Sequence, residues 1–244
     1  MIASVFSKTR PINYLLLGIV SLFLYGLYQF KETSWTNDGW LIAQKIGLFV
    51  ILVASYFLLN FLTLKNNLTK SNNYAILLFS IFLIFFPLIF KTPSVLIANF
   101  LLLLALRRLI ALQNLKNTKE KIFDASFWIF VAALFHFWCI SFIILVFISI
   151  IFHVSGNYKN WIIPILAFFA VAVLSVLLDL ILANNLLADI YNEINTSFNF
   201  SYFENIYQNI ALALFSSIAL LFFSTQITEV QNKPLNQQVK KFIF

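Results

Sequence analysis

An uncharged apolar run of 26 residues, Phe127–Phe152, constrains this chain more than any other feature. A bilayer-spanning helix needs about 20 apolar residues. The run is therefore long for one crossing and too short for two full ones. How it is used sets the side of the membrane on which everything after it falls.

The rest of the chain has the same character. Of its 244 residues, 61% are hydrophobic and 10% charged, with a mean hydropathy of +0.92. Ordinary soluble domains are about 45–50% apolar and about 25% charged. The expectation is an all-α integral membrane protein, a polytopic bundle of about six to eight helical elements with short or re-entrant hairpins. Spans are expected at Ile12–Phe30, Leu41–Leu64, Tyr74–Phe90, Val95–Leu106, Phe127–Phe152 as a broken or hairpin segment, Trp161–Leu182 and Ile210–Thr225. Together they form one transmembrane domain over residues 1–244. Residues Arg107–Lys121 read as a basic helix lying along the membrane surface, Asn184–Asn209 as an outer loop and 226–244 as a cytoplasmic tail. The tail ends in Phe242–Ile243–Phe244, the first turn of another span, which is the pattern of a shortened form of a longer protein. Period-two alternation, the mark of an outer-membrane barrel strand, is absent from these segments, and the expected location is a bacterial cytoplasmic (inner) membrane.

Lys and Arg in short loops set orientation. With the N-terminus inside and Phe127–Phe152 crossing once, nine of the sixteen cations fall inside and seven outside. With the run going in and coming back, only Lys31, Lys45 and Lys91 stay outside, thirteen are inside, and the acidic loop with Asp189, Glu193 and Glu204 moves outside. The charges favour the second arrangement. Two half-length helices shielded from lipid by their neighbours would satisfy it, with the break near His136–Ser141. A single tilted helix of 26 residues is the alternative.

Chemistry-bearing residues are few. There are two histidines, His136 and His153, one cysteine, Cys139, and five glycines, with no metal, nucleotide or catalytic-triad signature. No cofactor or metal is expected, and no disulfide. The net charge of +7 is not arranged as a basic face interleaved with aromatics, so nucleic acid is not an expected partner; membrane lipids are. His136 is the expected buried polar group, since ionisable residues inside membranes are paired or functional. Asn60 and Asn99 read as interhelical hydrogen-bonders. Arg107 and Arg108, at a helix end, suit a lipid phosphate by the fork geometry of their guanidinium groups; ordinary anchoring at the cytoplasmic surface is the favoured role. Glu32 and Asp38 lie in a ten-residue first outer loop, Lys31–Trp40.

The stretch Pro93–Leu166 carries the pieces "SVLIANFLLLLALRRLIAL", "FDASFWIFVAALFHFW" and "NYKNWIIPIL". Their order resembles the middle of the GT-C superfamily of polytopic glycosyltransferases: a short apolar helix ending in paired Arg, a basic stretch, a broken apolar run and another basic gap. The resemblance implies that an acidic residue of the first outer loop, Asp38 or Glu32, acts as base or coordinates a metal-assisted sugar donor. Most of the chain also resembles a family of Bacteroidetes polytopic inner-membrane proteins, usually somewhat longer, with which no activity is associated.

Two functional classes stand. One is a membrane subunit or scaffold that packs against partner membrane proteins. The other is a GT-C-like protein acting on lipid-linked sugars at the outer leaflet. A ten-residue loop leaves little to close a water-poor active site, which favours the first.

Overall fold

The computed structural model describes residues 11–30, 39–66, 73–154, 156–182 and 206–231, with Ala188 and Asn192. Eight α-helices are described: α1 Pro11–Phe30, α2 Gly39–Lys65, α3 Tyr74–Phe85, α4 Pro93–Ile110, α5 Thr118–Phe135, α6 Ile143–Val154, α7 Lys159–Leu182 and α8 Ile206–Gln231. Short 3₁₀ turns occupy Pro87–Phe90, Ala111–Asn114 and Phe137–Phe142. No strand occurs among the described residues. Gly39–Lys65, Pro93–Asn114, Phe137–Val154 and Lys159–Ile181 are long and apolar enough to cross a bilayer, while Leu16–Gln29, Tyr74–Phe85 and Ile206–Phe222 are shorter apolar helices. This is an all-α bundle of membrane type.

Helices α1, α2 and α3 pack around Leu17, Tyr25, Leu48, Leu52, Tyr56, Ile76 and Leu83. Hydrogen bonds between helices lace them together. Tyr25 Oη donates to the Lys45 carbonyl at 2.8 Å, Tyr56 Oη shares a hydrogen bond of 3.1 Å with Ser80 Oγ, and Gln29 Nε2 donates to the Phe90 carbonyl at 3.0 Å. Where water cannot compete, such bonds take over part of the role that hydrophobic burial plays in soluble bundles. The Gln29 bond explains the turn at Pro87–Phe90. It takes up the carbonyl of the last residue of that turn, and Phe90 is buried against Tyr25.

The second half is built on α5, which packs against α4 on one side and α7 on another. These contacts use small residues: Ala98 and Ala105 on α4, Ala125 and Ala132 on α5 and Ala167 on α7 are all fully or nearly fully buried. Small side chains let helix backbones approach closely. Ser126 is buried without cost because its hydroxyl donates to the Ile122 carbonyl one turn back.

Chain direction follows from these contacts. Phe90 lies beside Gln29, near the end of α1, so α3 and its 3₁₀ turn run back along α2 toward the end where α1 finishes. Helix α4 returns, and Arg107 near its end lies over Phe61 near the end of α2. Helix α5 leaves from that same end, since Arg108 contacts Asp124. It stops at His136, whose extended backbone (φ −150°, ψ 109°) ends the helix. Helix α6 then returns: Val146 and Ile150 share a buried cluster with Ile122, Ala125 and Ile129. Helix α7 departs again beside α5, with Ala167 and Val171 against Phe130. Helix α8 meets the bundle through Phe215, whose ring packs against Phe82 and Phe85 of α3.

The basic stretch Arg107–Lys121 is not one surface helix. It comprises the last turn of α4, a 3₁₀ turn, a bend and the first turn of α5. Leu115 and Asn117, each with φ 50°, reverse the chain there. Left-handed backbone at two positions two residues apart cannot belong to a continuous helix.

Candidate functional site

The described charges gather at one end of the bundle. Lys65 ends α2, Arg107 and Arg108 end α4, Lys116 lies in the bend, Lys119 and Lys121 open α5, and Lys159 opens α7. The described acids at this end are Glu120 and Asp124. Lys45 and Lys91 belong to the opposite half. This basic end is the most distinctive electrostatic feature of the molecule.

Within it, the two adjacent arginines separate. Successive helical residues point about 100° apart, so Arg107 and Arg108 reach different neighbours. Arg108 Nε lies 3.0 Å from Asp124 Oδ2, an ion pair between α4 and α5. Lys121 Nζ donates to the Ala111 carbonyl at 2.7 Å, satisfying an acceptor left free where α4 ends. Asn117 Nδ2 donates to Glu120 Oε2 at 3.2 Å at the start of α5, where a carboxylate also suits the helix dipole. Arg107 turns the other way, with its guanidinium carbon 5.3 Å from the centre of the Phe61 ring. Lys65 Nζ lies 4.9 Å from the same ring. Among the described residues neither Lys65 nor Arg107 has a carboxylate partner. The sequence reading paired Arg107 with Arg108; the geometry joins Arg107 to Lys65. Phe61 and Lys65 stand one helical turn apart, a visible signal, but their meeting with Arg107 depends on how α2 packs on α4.

Arg107 also stands at the mouth of a groove of about 490 Å³ between α2 and α4, lined by Ala54, Phe57, Leu58, Phe61, Phe100 and Leu104. A second groove, of about 580 Å³, lies between α1, α2 and α3, with Ser21, Tyr56 and Asn60 as its polar lining. A third cavity of about 200 Å³ is bounded by Asn99, Leu102, Leu106, Ile129, Phe142 and Leu145. No carboxylate or histidine lines any of the three. Asn60 and Asn99 were expected to bond between helices. Each faces a groove instead, with no side-chain hydrogen bond to another helix among the described residues.

His136 is half-buried at the break. Its N–H donates to the Ala132 carbonyl at 2.9 Å and its carbonyl accepts from Cys139 N–H at 3.0 Å, so its backbone joins the end of α5 to the 3₁₀ turn. Glu32 and Asp38 lie outside the described residues. Among the described residues, no three His, Cys, Asp or Glu side chains gather closely enough to hold a metal.

The chain matches no protein-family model, no curated protein and no solved structure.

Proposed function

We propose that this protein is a multi-pass subunit or scaffold of a bacterial cytoplasmic membrane, with the basic end of the bundle and the N-terminus in the cytoplasm and α7 presented to a partner helix. The observation that carries this is the narrow attachment of α7. Ile163, Ala167, Val171 and Ser175, one turn apart, are its buried stripe against the bundle. On the opposite face Leu166, Phe169, Val173, Val176 and Leu180 are all exposed. Their alternating three- and four-residue spacing is the seam along which a second helix packs. The orientation rests on the cations of the basic end, which favour the cytoplasm. The apolar linings of the three grooves fit a scaffold better than a site for acid–base chemistry.

Photo-crosslinking tests this in intact cells. A benzophenone side chain at Phe169 is expected to capture a discrete protein adduct, whereas one at Ala167, on the buried stripe, captures only this chain. Adducts to lipid alone at Phe169 would reject the partner-helix reading.

A second reading has one observation behind it. Gly39 begins α2 at the end of the bundle where the Pro87–Phe90 turn and the Phe137–Phe142 break also lie. A GT-C-like site built on Glu32 and Asp38 would then stand across the membrane from the basic end, at the outer leaflet where lipid-linked sugars are used. Asp38→Asn separates the readings. Full complementation of a deletion strain by that variant removes the catalytic role, and loss of function at normal membrane levels supports it.

A further inference from the structure

We infer that Lys65, Arg107 and the α2–α4 groove form a binding site for one anionic phospholipid of the leaflet at the basic end. Two cations share a single aromatic ring there. Their distances to its centre, 4.9 and 5.3 Å, add to about 10 Å, the largest separation the two charges can have. Like charges held this close, with no carboxylate among the described residues to neutralise them, attract an anion. Two other cations of that end have protein partners: Arg108 has Asp124, and Lys121 has the Ala111 carbonyl.

The groove supplies the second half of the argument. It leads from Arg107 along Leu104 and Phe100 on α4 and along Leu58 and Ala54 on α2. Ala54 to Phe61 is about two helical turns, roughly 10 Å into the apolar zone. A purely ionic ligand has no use for such a groove, and a purely apolar one has no use for the paired cations at its mouth. A phospholipid uses both. Its phosphate accepts from the Arg107 guanidinium, whose planar fork suits phosphate oxygens. Lys65 contributes a second charge, which favours a headgroup with net negative charge over a zwitterion, and one acyl chain lies in the groove. Phe61 orients both cations by attraction to its ring face.

The test uses the full chain purified in mild detergent and read by native mass spectrometry, with dioleoylphosphatidylglycerol and dioleoylphosphatidylcholine offered in equal amounts. Wild type is expected to retain the anionic lipid selectively. The double variant Lys65→Gln, Arg107→Gln is expected to lose about thirtyfold in that retention, the loss for two interfacial cations. The control Lys116→Gln, Lys119→Gln removes equal charge from the same end and is expected to keep most of it. Leu58→Trp, which fills the groove and leaves both cations, is expected to weaken lipid retention without affecting inorganic phosphate. Equal loss in the two double variants would mean diffuse surface charge and overturn the proposal. So would lipid retention that inorganic phosphate abolishes and Leu58→Trp leaves unchanged, which describes a headgroup-only site. A benzophenone at Leu58 that captures a protein in place of lipid would give the groove to a partner helix and overturn it as well.

Discussion

Arg108 and Asp124, on consecutive helices, stand 3.0 Å apart across the bend that joins α4 to α5. The pair links two chain segments brought together by the reversal at Leu115 and Asn117. It also gives Arg108 a carboxylate partner on α5, while Arg107 lies on the other face of α4.

The strength of that pair is bounded by its exposure, 46% for Arg108 and 35% for Asp124. Half-exposed ion pairs contribute about 0.2–1 kcal/mol and are screened by salt. Asp124→Asn is expected to lower the midpoint of thermal unfolding in detergent slightly, and the difference from wild type should vanish near molar salt. A loss several times larger, or one indifferent to salt, would show that Asp124 has a role beyond the pair.

Leu115 offers the opposite sign. It occupies left-handed backbone at φ 50°, ψ 6° and is 61% exposed. An L-residue with a β-carbon is disfavoured there by about 1–2 kcal/mol, and glycine is not. Leu115→Gly is expected to stabilise the protein by about 1 kcal/mol after the entropy cost of glycine is subtracted. Asn117→Gly should gain less, because asparagine tolerates this region. Differential scanning fluorimetry of both variants decides it, and equal effects would contradict the argument.

Ala125 is fully buried where α5 meets its neighbours. Adding three carbons to a contact made of small residues forces the helices apart. Ala125→Leu is expected to cost about 1–3 kcal/mol by overpacking, whereas Ala125→Gly changes the contact little. A stable, unaltered Leu variant in a thermal-shift series would show that the close approach at this point is not required.

Two buried asparagines should respond in opposite directions. Asn73, fully buried at the start of α3, has neither side-chain polar atom hydrogen-bonded, at a desolvation cost of about 1–3 kcal/mol. Asn73→Leu is expected to hold or raise the unfolding temperature. Asn160 Nδ2 donates to the Val154 carbonyl at 3.1 Å and ties the start of α7 to the end of α6. Asn160→Leu is expected to lower the unfolding temperature by removing that tie. The same shift from both substitutions would undo this distinction.

Orientation is checked by thiol labelling in a background where Cys139, itself buried, is replaced by serine. Asn157→Cys, between α6 and α7, is expected to react from the cytoplasm only, and Asn195→Cys from outside only. Labelling of position 157 from outside would reverse the assignment of every segment after α5.

Much of the helical architecture is legible in the chain itself. Apolar runs separated by cations are enough to expect helices, because a lipid-immersed backbone must satisfy its own hydrogen bonds. His136 and Ser141 flag the neighbourhood in which the helix of the long run stops, and the 3₁₀ turn Phe137–Phe142 occupies it. The basic stretch is different. Arg107–Lys121 reads as mostly helical in sequence, but Leu115 and Asn117 take left-handed backbone because α5 must turn back along α4, a demand that comes from packing.

The sequence by itself determined that the chain is helical, apolar and asymmetric in charge, since those follow from composition and spacing. The tertiary structure alone decided which charges meet. Arg107 and Arg108 are neighbours in sequence, yet a helix turns about 100° per residue and sends them to different partners. Lys65 and Arg107, 42 positions apart in the chain, come to one ring because α2 and α4 run in the same direction and finish together. Pairing of that kind is a property of helix direction and rotation within the bundle, and local spacing carries no record of it.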